Sequence, residues 1–134
     1  YGKVIVELKC KAGAGGMVDL SRKMIRDGHA EALCEAVNKY EVKELNLRDN
    51  QLGDAGAEAI AAMLRTNRSL TFLLLRGNKI GDAGAEAIVA MLRTNSSLTE
   101  LDLRANKIGD AGQKALQEAV KGRKFQLSIS HQNL

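Results

Sequence analysis

At 134 residues, 45% hydrophobic and 27% charged, the chain is long enough for one domain with a real core and has the composition of a folded, soluble protein. No apolar run approaches the roughly 18–20 residues that cross a bilayer, and the start lacks the residue order of a signal peptide, so the expected compartment is cytosol or nucleus, without a membrane partner. A net charge of +4 with two Phe, two Tyr and no Trp gives neither the dense basic patch nor the stacking rings of a dedicated nucleic-acid binder. Tyr1 rather than Met stands first, so the natural N-terminus is expected to differ from this one.

Residues 1–16 are predicted as an N-terminal cap. Val4, Val6, Leu8 and Cys10 alternate as in a strand, and the KAGAGG segment that follows links it to a second strand at 17–20. Six linking residues are too few for a parallel crossover, so an antiparallel hairpin is expected. The Gly13-Ala14-Gly15-Gly16 stretch lacks the GKS or GKT ending of a phosphate loop and opens no helix, so it reads as a turn.

From residue 17 the chain repeats itself. Residues 48–67 and 76–95 share sixteen of twenty positions, and three stretches beginning at Leu45, Leu73 and Leu101 read L-x-L-R-x-N-x-L/I at a spacing of 28. Repeats are expected at 17–44, 45–72, 73–100 and 101–124, followed by a capping strand in 125–134. Weaker copies carry Lys23 and Gln132 at the Asn position, which marks irregular or terminal units. Each unit switches period partway. Leu45 and Leu47 alternate as in a short strand, whereas Ala57, Ile60, Ala61 and Leu64 follow the i, i+3, i+4, i+7 spacing of one helix face.

Asp54, Asp82 and Asp110 are placed to N-cap their helices, and Asn67 and Asn95 suit a left-handed position after the last turn. The last helix carries Gln113, Gln117 and Glu118 where a further repeat would pack, so the stack is expected to end here. FQLSIS at 125–130 then forms an edge strand. The basic Lys121–Lys124 run reads as a solvated loop that discourages further pairing.

On the motif L-x-L-x-x-N-x-L/I-G-D-x-G-A the chain resembles leucine-rich repeat proteins of the ribonuclease-inhibitor-like subclass, also found in NOD-like receptors. The resemblance implies an α/β fold: a right-handed solenoid, a short horseshoe arc with a parallel β-sheet on the concave side and α-helices on the convex side. It also implies an asparagine ladder of Asn50, Asn78 and Asn106 that satisfies backbone groups where the chain leaves the sheet. Ribonuclease inhibition is not expected, because that inhibitor is a far longer, cysteine-rich horseshoe. A GTPase-activating role, as in the Ran-activating repeat proteins, would need a catalytic residue that the sequence does not offer.

Chemistry is equally absent from the pattern. Cys10 and Cys34 form no C-x-x-C pair and read as buried, reduced thiols, and His29 and His131 lie far apart without a nucleophile or metal spacing. No enzyme, cofactor or metal is expected. What remains is the sheet surface, where residues between the strand leucines face the concave side. Its columns are Glu44-Phe72-Glu100, Asn46-Leu74-Asp102 and Arg48-Arg76-Arg104.

Phe72 and Leu74 form either a contact patch or a surface covered by a neighbouring segment. The arginines form either a fork-shaped array for an acidic partner or a repeat feature neutralised by Asp49, Asp102 and Glu100. A non-catalytic protein-interaction module using this concave face is the leading expectation. The alternatives are a structural part of a larger assembly or receptor-type chain, and a nucleic-acid or acidic-ligand binder acting through the arginine column.

Overall fold

The computed structural model describes residues 2–134. Five short strands form one parallel sheet in chain order: β1 (Met17–Asp19), β2 (Glu44–Asn46), β3 (Phe72–Leu74), β4 (Glu100–Asp102) and β5 (Gln126–Ser128). Helices α1 (Gly2–Ala12), α2 (Ala30–Lys39), α3 (Asp54–Leu64), α4 (Asp82–Leu92) and α5 (Asp110–Val120) alternate with them, and a 3-10 turn at Asp27–His29 leads into α2. The register stacks like on like, with Val18, Leu45, Leu73, Leu101 and Leu127 in one row. Strands about 4.8 Å apart and helices about 10 Å wide cannot stack straight, so the chain bends into an arc with the sheet concave. Between the layers Leu45, Leu47, Leu52, Ile60 and Leu64, with their counterparts in the next repeat, are buried.

The N-terminal segment departs from expectation. Residues 2–12 form a helix, not the first strand of a hairpin. Val4, Val6, Leu8 and Cys10 satisfy both periods, because Val6 and Cys10 are also an i, i+4 pair. Those two are fully buried, while Val4 and Leu8 point outward at 62% and 58% exposure. The helix wins because it covers the flank of α2, a task for which a strand beside β1 has the wrong place, and Lys9 and Lys11 suit its C-terminal dipole. The glycine-rich stretch is the turn out of this helix. Gly15 has φ +73° and donates its N–H to the Tyr40 carbonyl at 2.9 Å, and a Cβ on Gly13 would lie 2.7 Å from the Met17 carbonyl oxygen.

The helix caps also differ from the local reading. Gly53, Gly81 and Gly109 are the N-cap residues and make no side-chain cap. Asp54 and Asp82 instead serve the following repeat, as does Asp27, whereas Asp110 makes no such bond among the described residues. Asp54 Oδ1 accepts N–H groups of Gly81 at 2.7 Å and Gly84 at 2.9 Å, Asp27 Oδ1 does the same for Gly53 and Gly56, and Asp82 Oδ1 accepts from Gly109. Capping therefore ties neighbouring units together.

Asn67 and Asn95 are not left-handed. They form a second polar ladder at the helix C-termini. Asn95 Nδ2 donates to the Leu64 carbonyl at 2.7 Å, and Asn67 Nδ2 donates to Asn38 Oδ1. Arg123 occupies the next rung, donating to the carbonyls of Leu92 at 2.6 Å and Asn95 at 2.9 Å, so this part of the basic run is pinned rather than solvated.

Both cysteines are free thiols; Cys10 is buried and Cys34 half-buried, and burial pushes each up to about 11.

Candidate functional site

The asparagine ladder fixes the face on which the candidate residues sit. Asn78 Oδ1 accepts the Leu52 N–H at 3.0 Å while its Nδ2 donates to the carbonyls of Leu47 and Leu75, and Asn50 and Asn106 make corresponding bonds. With the turn after each strand held in this way, the flanking side chains are presented by a rigid backbone. Gln132 continues the ladder, donating to the carbonyls of Leu103 and Ile129 and accepting from Ile108, rather than breaking it. Lys23 does not; its backbone N–H is instead a donor to Asn50 Oδ1.

Glu44, Phe72 and Glu100 are register partners across β2, β3 and β4, as are Asn46, Leu74 and Asp102. In three repeats the third strand position holds an Asx turn: Asp19, Asn46 and Asp102 each accept the backbone N–H two residues on. Leu74 cannot make that bond. An apolar side chain there gives up a local turn interaction and sits half-buried on the concave face instead. Together with Phe72, Glu44, Leu45, Asn46 and Met17 it lines a shallow hollow of about 160 Å³.

Met17, 61% exposed, is the member that sequence reasoning missed. Its unit is one residue short of the regular repeat, so only the pairing of Met17 with Glu44 reveals the shared row.

The arginine column is not uniform. Arg104 is folded onto Asp102, with Nε to Oδ1 at 2.9 Å and Nη2 to Oδ2 at 2.7 Å. Burial opposes ionisation of Asp102, but hydrogen bonds from the Arg104 side chain and backbone, with the charges of Arg104 and Arg76, hold its carboxyl below the usual range. Asp49 does not neutralise the column. It reaches Arg22 of the previous unit at 3.4 Å. Among the described residues Glu100 makes no ion pair either, and Arg48 and Arg76 have none. The Nε of Arg48 is buried without a hydrogen-bond partner.

His29 lies beside the N-terminus of α1, where a Cβ on Gly2 would meet its ring, and its Nδ1 accepts the Arg26 N–H at 3.0 Å. Among the described residues no group of three His, Cys, Asp or Glu side chains could hold a metal ion, and no helix is long and apolar enough to cross a membrane.

A family model described as "Leucine Rich repeat" matches residues 42–61, 66–89 and 94–116, together half of the chain. No curated protein sequence matches the chain. Among solved structures the chain is similar to that of "Leiomodin-1 Actin-Binding Site 2 (ABS2)", at 23% identity and a TM-score of 0.73, over 99% of this chain and 78% of that one. At that identity the likeness is one of fold.

Proposed function

Because the chain belongs to the leucine-rich repeat family, whose stacked units present a preformed sheet, we propose that it is a non-catalytic protein-binding module and that its concave face is the contact surface. The observation that carries this reading is Leu74. It places an apolar side chain where other repeats keep a turn-forming Asx residue, and with Phe72 and Met17 it opens an apolar hollow on an otherwise polar face. Such a hollow, with Glu44 and Asn46 in its wall and Glu100 beside Phe72 in the register, has the anatomy of a contact centre: apolar middle, polar surround. Arg104 and Asp102 are satisfied by each other and form the border of the site rather than part of it. The repeats assigned to 17–44, 45–72, 73–100 and 101–124 serve as its scaffold.

Capture from a lysate by the wild-type chain, beside a Leu74→Asp variant shown by circular dichroism to fold equally well, tests the reading. Proteins retained at least tenfold better by the wild type are expected. Identical retention would place the contact surface elsewhere. The similar leiomodin-1 structure is of an actin-binding site, so actin is the first purified protein to assay against the chain.

A further inference from the structure

We propose that the concave face takes a peptide segment carrying a bulky apolar side chain and a carboxylate within about two residues of each other, the first seated between Met17, Phe72 and Leu74 and the second on Arg48. The inference rests on the reading of the chain as a concave-face binding module and adds the chemistry of the partner.

The hollow beside Leu74 measures about 160 Å³. Small-molecule pockets run to roughly 300–1,000 Å³, so this one has the scale of a single side chain. Asn46 forms part of its wall and also part of the wall of a smaller depression of about 60 Å³, shared with Ser21, Arg22, Arg48 and Asp49. The two depressions therefore adjoin across one residue. Arg48 is two residues beyond Asn46, in the turn that leaves β2, so the depressions are separated by one short stretch of chain and the partner's two groups must stand close together in its sequence.

Charge selects a carboxylate for the second depression. Arg48 is half-buried, its enclosed Nε has no hydrogen-bond partner, and among the described residues its guanidinium makes no ion pair, so its charge is not met within the chain. Among the described residues the neighbouring carboxylates are engaged elsewhere. Asp49 is turned to Arg22, and Asp102 is held by Arg104. A guanidinium edge accepts a carboxylate by paired N–H donors, and a charge-assisted bond of this kind is the stronger type. Orientation follows from the opposite end of the strands. Glu44 and Glu100 stand there, so an acidic group bound in reverse would face like charge.

The test is selection of a random peptide display library on the intact 134-residue chain, followed by affinity measurement of the selected synthetic peptides on Arg48→Gln, Leu74→Asp and, as a remote control, Arg93→Gln. Selected peptides are expected to share an apolar residue and an Asp or Glu within two positions. Their binding is expected to weaken at least tenfold in Arg48→Gln and in Leu74→Asp, and less than twofold in Arg93→Gln. Peptides that lose binding in Leu74→Asp but lack a carboxylate, or ignore Arg48→Gln, would overturn this inference and leave the concave-face reading standing. Peptides indifferent to both concave substitutions would overturn the two together. Failure to enrich any peptide, or tighter binding of a single-stranded oligonucleotide than of any acidic peptide, would overturn the inference as well.

Discussion

Gln132 repeats the bonds of Asn106 with a side chain one methylene longer. Asn106 Oδ1 accepts the Ile80 N–H at 3.0 Å and its Nδ2 donates to the carbonyls of Leu75 and Leu103; Gln132 Oε1 accepts the Ile108 N–H at 2.9 Å and its Nε2 donates to the carbonyls of Leu103 and Ile129. The final unit is shorter, pairing Leu101 with Leu127 across 26 residues instead of 28, but the ladder residue keeps its place, since Asn106 and Gln132 each bond the carbonyl three residues back. The ladder thus closes the stack at its C-terminal edge as well as running through it.

That closure predicts a graded cost along the ladder. Asn78 is buried, 5% exposed, and bonds three backbone groups, so Asn78→Ala leaves buried donors and acceptors unpaired and is expected to lower stability by about 3 kcal/mol. Gln132 is half-buried, and Gln132→Ala is expected to cost about 1 kcal/mol. Urea unfolding followed by circular dichroism measures both, and equal costs would contradict the account.

Capping across repeats makes an asymmetric prediction for two aspartates at equivalent positions. Asp54 accepts two N–H groups at the start of α4, and Asp54→Ala is expected to destabilise by about 1–2 kcal/mol. No helix follows α5 among the described residues, so Asp110→Ala is expected to stay within about 0.5 kcal/mol. A capping role within each aspartate's own helix would make the two losses equal.

Acid sensitivity is expected to depend on Asp102. Its carboxyl is held below the unfolded value, so its contribution to stability is complete above about pH 3.9 and is lost as the pH falls through the lower folded value. Asp102→Asn is therefore expected to flatten the fall in stability below about pH 4. Stability at each pH, from urea midpoints of both proteins, checks this; parallel acid limbs would assign the loss to other carboxylates.

Both thiols should resist alkylation in the native state. Burial raises each to about 11, which leaves little thiolate at neutral pH, and Cys10, on α1, is in addition fully buried. Timed iodoacetamide labelling read by mass spectrometry is expected to modify the half-buried Cys34 before Cys10, with both accelerated at least a hundredfold by denaturant. Rapid native labelling of Cys10 would show that α1 opens readily.

Much of the architecture was legible in the sequence because it is written more than once. The leucines, the Arg–x–Asn turn and the switch from strand to helix recur at one period, and their repetition removes the ambiguity of any single short run. The N-terminal helix was not legible for the opposite reason: Val4, Val6, Leu8 and Cys10 occur once, and their spacing fits both a strand face and two helix faces.

The aspartates were misplaced because a local capping rule looks within one helix, whereas Asp54 meets Gly81 and Gly84 in the next repeat. Met17 was hidden by a unit one residue short of the regular 28, which breaks a column drawn by counting, whereas Gln132 was placed at the Asn position and only its continuation of the ladder needed coordinates. Phe72, Leu74 and the arginines could be placed on one face from the sequence. The pairing of Arg104 with Asp102, and the lack of any pairing for Arg48, needed coordinates.

Amide hydrogen exchange of the chain, free and bound to a protein that it captures, tests the proposed contact surface most directly. Protection is expected to concentrate in residues 44–48 and 72–76, with exchange in the outer turns of α3 and α4 unchanged. Protection confined to those helices, with the strand segments unaltered, would contradict the assignment of the concave face.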